Sequence, residues 1–369
     1  MKKLTVIQVL PELHGGGVER GTLEIAAGLV AAGHRSVVIS AGGRLVPELE
    51  AAGSEHITLP IAKKSLWALR QVRVLRKLFV ALQADIIHLR SRLPAWLCYL
   101  AWRKLPAHKR PRLVTTVHGL YSVNRYSKIM ARGEAVIAVS ETIVDYIRTN
   151  YPDCFGPQVR RIYRGIDPAQ FPRDYQPSAE WSAQWQQQFP QLVGKKVLCL
   201  PGRITRLKGH LDFLDMLHAL VRAGEPVAGL IVGGEDPRRM GYYQEIKARV
   251  EELQLEDLVV FTGHRRDIRD IYAVSDLIFS LSTKPESFGR TVLEPLAMGR
   301  MVVGYDHGGV GEILAALFPQ GRVPLQNADA LRATALQLLK EPQLPAENQQ
   351  FLLKDMVGQT LALYGELAS

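Results

Sequence analysis

The sequence predicts an α/β protein made of two parallel, doubly wound sheets. Three observations predict it. Short apolar runs of strand length alternate with longer segments of helical periodicity, the alternation occurs twice, and glycine-bearing turns close many of the apolar runs. A chain of 369 residues also exceeds one ordinary core and fits two domains.

In the first half the strand candidates are Thr5–Leu10, Ser36–Ile39, Ile86–Leu89, Leu113–Val117 and Ala135–Val139, with helical candidates such as Val18–Ala32 and Leu66–Leu82 between them. In the second half they are Val197–Leu200, Leu230–Val232, Val259–Phe261, Leu277–Ser280 and Met301–Tyr305. Each is an apolar stretch bounded by turn residues, as expected of strands buried on both faces. Residues Asp167 to Gly194, with prolines, tryptophans and the glutamine-rich run Gln184–Gln188, interrupt the pattern. The expected division is therefore 1–170 and 171–350. Phe351–Leu367 has helical periodicity.

Composition is that of a soluble globular protein. Cys98, Cys154 and Cys199 lie far apart and show neither metal-ligand spacing nor a disulfide framework, which suits a reducing compartment. The start, Met1–Leu10, has an apolar core too short and too broken by Thr5 and Gln8 for a secretion signal, and reads as the first buried strand. No apolar run reaches membrane-spanning length. The net charge of +10 is uneven: His56–Gly133 holds sixteen Lys and Arg against one acid, Asp85, giving +15 there and −5 elsewhere. This excess predicts an electropositive surface on the first half and an acidic partner, read as an anionic membrane or glycan and not a nucleic acid. Lys63–Lys77 mixes basic and apolar positions at helical spacing. Trp96, Tyr99 and Trp102 stand beside Arg103 and Lys104, either at a membrane interface or as one core-facing helix stripe.

Two segments carry the chemistry. Glu286 sits at a Pro/Gly-flanked turn, and Glu294 follows about two helical turns later in an apolar-periodic segment that Gly299 would stop. A helix opening near Ser287 would aim the amides of Phe288, Gly289 and Arg290 outward as an anion seat. The two carboxylates could then accept hydrogen bonds from two polyols, or they are an acidic helix start and one solvated glutamate. Gly202-Arg203-Ile-Thr-Arg-Leu-Lys208-Gly209 follows the strand Val197–Leu200. Arg203 offers a planar fork and Lys208 a compact charge for phosphate oxygens. No Asp-x-Asp pair stands in a plausible place, so no divalent ion is expected.

With these segments in hand the chain resembles glycosyltransferase family 4, the retaining nucleotide-sugar transferases of GT-B fold. The likeness runs through Gly15-Gly16-Gly17-Val-Glu-Arg20, Val-His118-Gly119, Val139-Ser140-Glu141, Tyr163-Arg-Gly-Ile-Asp167, the Arg203/Lys208 loop, Val232-Gly-Gly-Glu235 and the paired glutamates. It implies two Rossmann-like domains facing across a cleft, an acceptor-side first domain and a donor-binding second one, with helix 351–369 packing back on the first. It also implies that Arg203 and Lys208 bind the donor diphosphate, that Glu286 and His118 contact the donor sugar, and that Glu294 contacts the ribose. Gly16, Gly17, Gly202, Gly234, Ser287, Phe288, Gly289 and Arg290 would line the donor site, and main chain at His264 and Arg265 would meet the base. Arg164 departs from the asparagine that many relatives carry before Gly-Ile-Asp.

The resulting expectation is a retaining glycosyltransferase with no cofactor, its nucleoside-diphosphate sugar being a substrate. The acceptor would be an anionic or membrane-borne glycan, such as lipopolysaccharide core or another envelope glycolipid. The enzyme would be cytoplasmic and peripheral at the inner face of the membrane. A nucleotide-sugar isomerase (epimerase) on the same fold and a non-catalytic carbohydrate-binding relative are the alternatives.

Overall fold

The computed structural model of the protein describes residues 2–62, 66–234 and 240–369. Lys63, Lys64 and Ser65 of the basic segment, and Glu235 of the Gly233–Gly234–Glu235 turn, lie outside the described residues. The chain divides into two units, Met1–Gly165 with Leu353–Ser369, and Ile166–Leu352.

The first unit contains a seven-stranded sheet in the order β3-β2-β1-β4-β5-β6-β7. Its strands are β1 Thr5–Val9, β2 Arg35–Ser40, β3 Glu55–Thr58, β4 Ile86–Leu89, β5 Arg112–Val117, β6 Ala135–Ala138 and β7 Val159–Arg161. Every pairing is parallel. The helices are α1 Gly17–Ala31, α2 Val46–Ala51, α3 Gln71–Ala81, α4 Arg92–Arg103, α5 Glu141–Asn150 and the C-terminal helix Leu353–Ala368. Side-chain alternation along the strands explains the two layers. Ile7, Ile87, Leu113 and Val136 face the layer holding Val72, Leu75, Phe79, Leu97 and Ile143 of α3, α4 and α5. Their neighbours Val6, Ile86, Val114 and Ile137 face α1 and the C-terminal helix through Ile25, Leu29, Met356, Leu363 and Tyr364.

The second unit has six strands in the order β10-β9-β8-β11-β12-β13, again all parallel. They are β8 Lys196–Pro201, β9 Val227–Val232, β10 Val259–Gly263, β11 Leu277–Ser280, β12 Val302–Tyr305 and β13 Arg322–Val323. The helices are α6 Ala179–Gln188, α7 His210–Arg222, α8 Met240–Glu252, α9 Ile268–Ala273, α10 Arg290–Ala297, α11 Gly308–Leu317 and α12 Ala328–Lys340. In the expected interruption α6 forms an aromatic stack: the Trp181 and Trp185 ring centroids are 4.9 Å apart, and Phe189 meets Trp185 edge-on at 4.6 Å.

Three strands escaped the sequence reading, and all three are at sheet edges. β3 (Glu-His-Ile-Thr), β7 (Val-Arg-Arg) and β13 (Arg-Val) are short and largely unburied and carry no apolar run, unlike β10, the remaining edge strand, which buries Val259 and Val260. The helix expected over Leu66–Leu82 is instead a 3-10 turn at Leu66–Arg70 followed by α3. The aromatic cluster of α4 packs on the core. Trp96, Tyr99 and Trp102 rest against the buried cluster, and the two indole N–H groups donate to the main-chain oxygens of Tyr126 and Pro111. These contacts support the core-facing reading of the stripe. The mixed basic and apolar face lies on α3 and the turn before it, where Leu69, Val74 and Val80 are exposed beside exposed Arg70, Arg73, Arg76 and Lys77.

Candidate active site

In the second unit the chain runs outward from β8 through β9 to β10, then returns to place β11 on the other side of β8. All strands are parallel, so the loops after β8, β9, β11 and β12 leave the same sheet edge, and the reversal between β8 and β11 opens a crevice where such sheets bind ligands. Main-chain bonds tie these loops together. Gly202 N donates to Val232 O at 2.8 Å, Ile204 N to Gly234 O at 3.3 Å, Thr283 N to Leu207 O at 2.9 Å and Gly309 N to Glu286 O at 2.8 Å. Gly233 permits the first of these approaches, because a Cβ there would stand 1.8 Å from Gly202 O. Gly233→Ala is therefore expected to cost about 2 kcal/mol of stability from overpacking, read as a lower urea midpoint.

Lys208 and Glu286, seventy-eight residues apart, meet here: Nζ donates to Oε1 at 2.7 Å, with both side chains about one-quarter exposed. Ser282 Oγ donates to the same carboxylate oxygen. His307, which caps α11, donates from Nε2 to Ser282 O at 2.6 Å and so steadies that serine. Burial pushes the Glu286 carboxyl up, but Lys208, the Ser282 hydroxyl and the field of His307 outweigh it and hold it below its ordinary value. Glu286 is thus an ionised acceptor. Arg203 leaves the same loop, is exposed, and has no ion-pair partner among the described residues. Ser282 gave no signal in the sequence, since one hydroxyl in a turn is ordinary; His307 stood in a Gly-rich turn after a strand.

The helix expected to open near Ser287 opens at Arg290, with Gly289 as its N-cap. The two glutamates therefore do not lie on one helix: Glu286 belongs to the preceding loop and Glu294 to α10. Tertiary packing overrides the local helical pattern. Gly309 lies so close under the 286–288 main chain that a Cβ there would be 2.3 Å from Phe288 O, and its N–H donates to Glu286 O, so that segment is held outside the helix. Phe288 itself is buried, with its ring 5.8 Å from that of Phe351. Its main chain, not its ring, borders the crevice beside Ser287. Glu294 accepts from Arg290 Nε at 3.1 Å, one turn back, and from Tyr272 Oη at 3.5 Å. Gly299 ends this segment in the left-handed region at φ 77°.

Gly234 is next to His264, whose Cβ would be 3.5 Å from a Cβ at that glycine. The Arg265 guanidinium is committed to Asp267 at 2.5 Å and sits over the Trp185 ring at 5.5 Å. Trp181 Nε1 donates to the same carboxylate at 2.9 Å. This leaves the main chain after β10 as the part shaped toward the sheet edge.

In the first unit the same logic applies at the reversal between β1 and β4. Gly16 caps α1 and Gly17 opens it, directly after β1. His118 follows β5, and Arg164 follows β7. The Arg164 guanidinium donates to Gly17 O and, from Nη2, to His118 Nδ1 at 2.7 Å. The residue that departed from the resembled pattern thus joins two segments of that pattern.

Two parallel-sheet units, each with polar side chains collected at a strand reversal, define a glycosyltransferase of GT-B type. The family models match most of the chain: Glycosyltransferase Family 4 over residues 15–170 and Glycosyl transferases group 1 over residues 182–351. The chain belongs to this family of glycosyltransferases. Its fold is that of a glycosyltransferase from Rickettsia africae, which is 28% identical over 100% of this chain and 99% of that one, with a TM-score of 0.86. Anabaena Alr3699/HepE, solved in complex with UDP-glucose, shares the fold at 20% identity and TM-score 0.80, over 98% of this chain and 100% of that one. The lipopolysaccharide core biosynthesis mannosyltransferase LpsB of Rhizobium meliloti is 28% identical over 50% of this chain and 49% of its own length. The chain spans 66% or less of the length of the first curated relatives it matches.

Proposed function

We propose that the protein moves a sugar from a nucleoside-diphosphate sugar to an anionic or membrane-borne acceptor, with retention at the anomeric carbon. The observation that carries the donor reading is the Lys208–Glu286 pair at the β8/β11 reversal, beside the exposed Arg203. A diphosphate entering there would meet both cations, whose charges would stabilise the negative charge that grows as it departs. This electrostatic work is what a divalent ion does in other transferases, so none is required. Glu286 and His118 would hold the donor sugar's hydroxyls and Glu294 the ribose, while the main chain at His264 and Arg265 meets the base. The UDP-glucose complex of a protein sharing the fold supports a nucleotide sugar as the donor class. The test is a panel of ADP-, GDP- and UDP-sugars in EDTA, scored for nucleoside-diphosphate release with and without acceptor glycans. Release that needs added divalent ion, or no release with any donor, counts against this reading.

Two observations support an envelope acceptor at the inner membrane face. One is the partial likeness to a lipopolysaccharide core mannosyltransferase. The other is the exposed face of Leu69, Arg70, Arg73, Val74, Arg76, Lys77 and Val80, where cations flank apolar side chains as at the surface of an anionic bilayer. Among the described residues no helix is long and apolar enough to cross a membrane. Reversing Arg73, Arg76 and Lys77 to glutamate should abolish flotation with anionic liposomes at low salt, each lost cation being worth about 1 kcal/mol at such a surface. Flotation unchanged by the triple reversal would remove α3 as the membrane face.

A further inference from the structure

An arginine side chain can only donate hydrogen bonds. Arg164 Nη2 lies 2.7 Å from His118 Nδ1, so that nitrogen must present its lone pair, and the ring proton must reside on Nε2. Arg164 is itself pinned: it is 8% exposed and bonded to the Gly17 carbonyl at the start of α1. Below, the His118 main-chain N–H donates to Tyr121 Oη at 3.3 Å. We infer that Arg164 is a positioning residue that fixes His118 as the Nε2–H tautomer, making its ring an obligate hydrogen-bond donor and never a base.

The groups around the ring work in the same direction. Arg90, 4% exposed and bonded to Gln8 Oε1, follows β4 and its charge acts on the ring, and the buried His88 stands on that strand. Burial first, and then Arg164, Arg90 and His88, push the His118 imidazolium well out of reach at neutral pH. His88 is itself held neutral by burial and Arg90, with Tyr364 of the C-terminal helix 2.5 Å from its Nδ1. Glu24 on α1 acts on Arg90, raising its pKa against the larger lowering by burial. With the Arg164 guanidinium on Nδ1 and the charge of Arg90 acting on the ring, a second ring proton has no stable place. The inference rests on the proposed placement of His118 beside the donor sugar only for its consequence: the ring can give a hydrogen bond to a sugar oxygen, but the acceptor's proton must leave by another route.

The test begins with the tautomer, which is read without substrate. In 15N-histidine-labelled protein, with the resonance assigned through His118→Gln, long-range 1H–15N spectra should show His118 protonated at Nε2 alone and unchanged from pH 8 to 5. Nδ1 protonation, or titration near pH 6.5, in the wild-type protein overturns the inference outright. Arg164→Met removes the donor and should let the Nδ1–H tautomer appear, whereas Arg164→Lys, which like arginine can only donate, should retain Nε2–H. An Arg164→Met spectrum identical to wild type also overturns it. In turnover, Arg164→Met should lose about tenfold in kcat/KM, the low end of what losing a histidine-orienting partner costs, with Arg164→Lys clearly less impaired. If no donor is turned over, the activity reading fails while the spectra still decide the tautomer.

Discussion

Replacing Lys208 with alanine is expected to lower kcat by about 10²–10³-fold, the usual consequence of removing one group that stabilises charge developing in a transition state. The fall should be larger in kcat than any rise in donor KM. A ground-state diphosphate already carries charge, but the charge on its bridging oxygen grows only as the glycosyl bond breaks, and an interaction that strengthens on the way to the transition state appears in kcat. The Lys208 ammonium is paired with Glu286 at 2.7 Å. The variant therefore loses the main charge that offsets burial of that carboxylate, and the Glu286 pKa should rise. The pair is partly exposed and lies in loops, so the sheet and its core should survive and thermal unfolding should shift by only a few degrees. Steady-state nucleoside-diphosphate release by a folded variant is the measurement. Near-normal turnover would remove the phosphate-neutralising role of Lys208 and with it the centre of the donor site.

Glu286→Gln should be the second largest loss. The amide keeps the shape of the side chain and one oxygen to accept from Lys208 Nζ and Ser282 Oγ, which both donate to Oε1, but it carries no charge and puts an N–H in place of Oε2, where a sugar hydroxyl could otherwise donate. Hydrogen bonds to a charged group are worth about 1.5–3 kcal/mol, or roughly 10- to 100-fold in kcat/KM. The pH dependence follows from the sign of the carboxyl's shift. Its folded-state pKa lies below the ordinary value, so the stabilisation it gives is complete above the unfolded carboxyl's pKa and is lost as pH falls through the folded value. The stability gap between wild type and variant should therefore be constant near neutrality and close only under acid conditions. A gap that widens on acidification would mean that the carboxyl's pKa is raised, and that burial outweighs Lys208.

These variants also show what was readable before any tertiary structure. The interior strands could be read because both of their faces are buried, and β4 and β11 coincide with their apolar runs, Ile86–Leu89 and Leu277–Ser280. β3, β7 and β13 could not, because these edge strands are short and largely unburied, whereas the edge strand β10 buries Val259 and Val260 and was legible. The residue types of the proposed donor site were equally visible: Arg203 and Lys208 stand in a Gly-bounded turn after a strand, and Glu286 in a Pro/Gly turn after another. Their meeting was not visible. It depends on β11 returning to pair with β8, which no local pattern encodes.

The start of α10 shows the same division at the scale of a few residues. From Ser287 onward the local pattern favours a helix, yet the chain does not enter it before Arg290 because Gly308 and Gly309, at the start of α11, press against the main chain of Glu286 and Phe288. Arg164 stood out in the sequence only as a departure, and its bond to His118, forty-six residues away, gave that departure a physical content. Local chemistry was enough to establish two parallel α/β sheets, the basic surface of the first half and the polar residues in the turns after strands, since periodicity and turn composition act over a few neighbouring positions. Which of those residues touch, which tautomer His118 adopts and where α10 begins were decided by strand order and close main-chain packing, because such contacts form between segments that only the folded topology brings together.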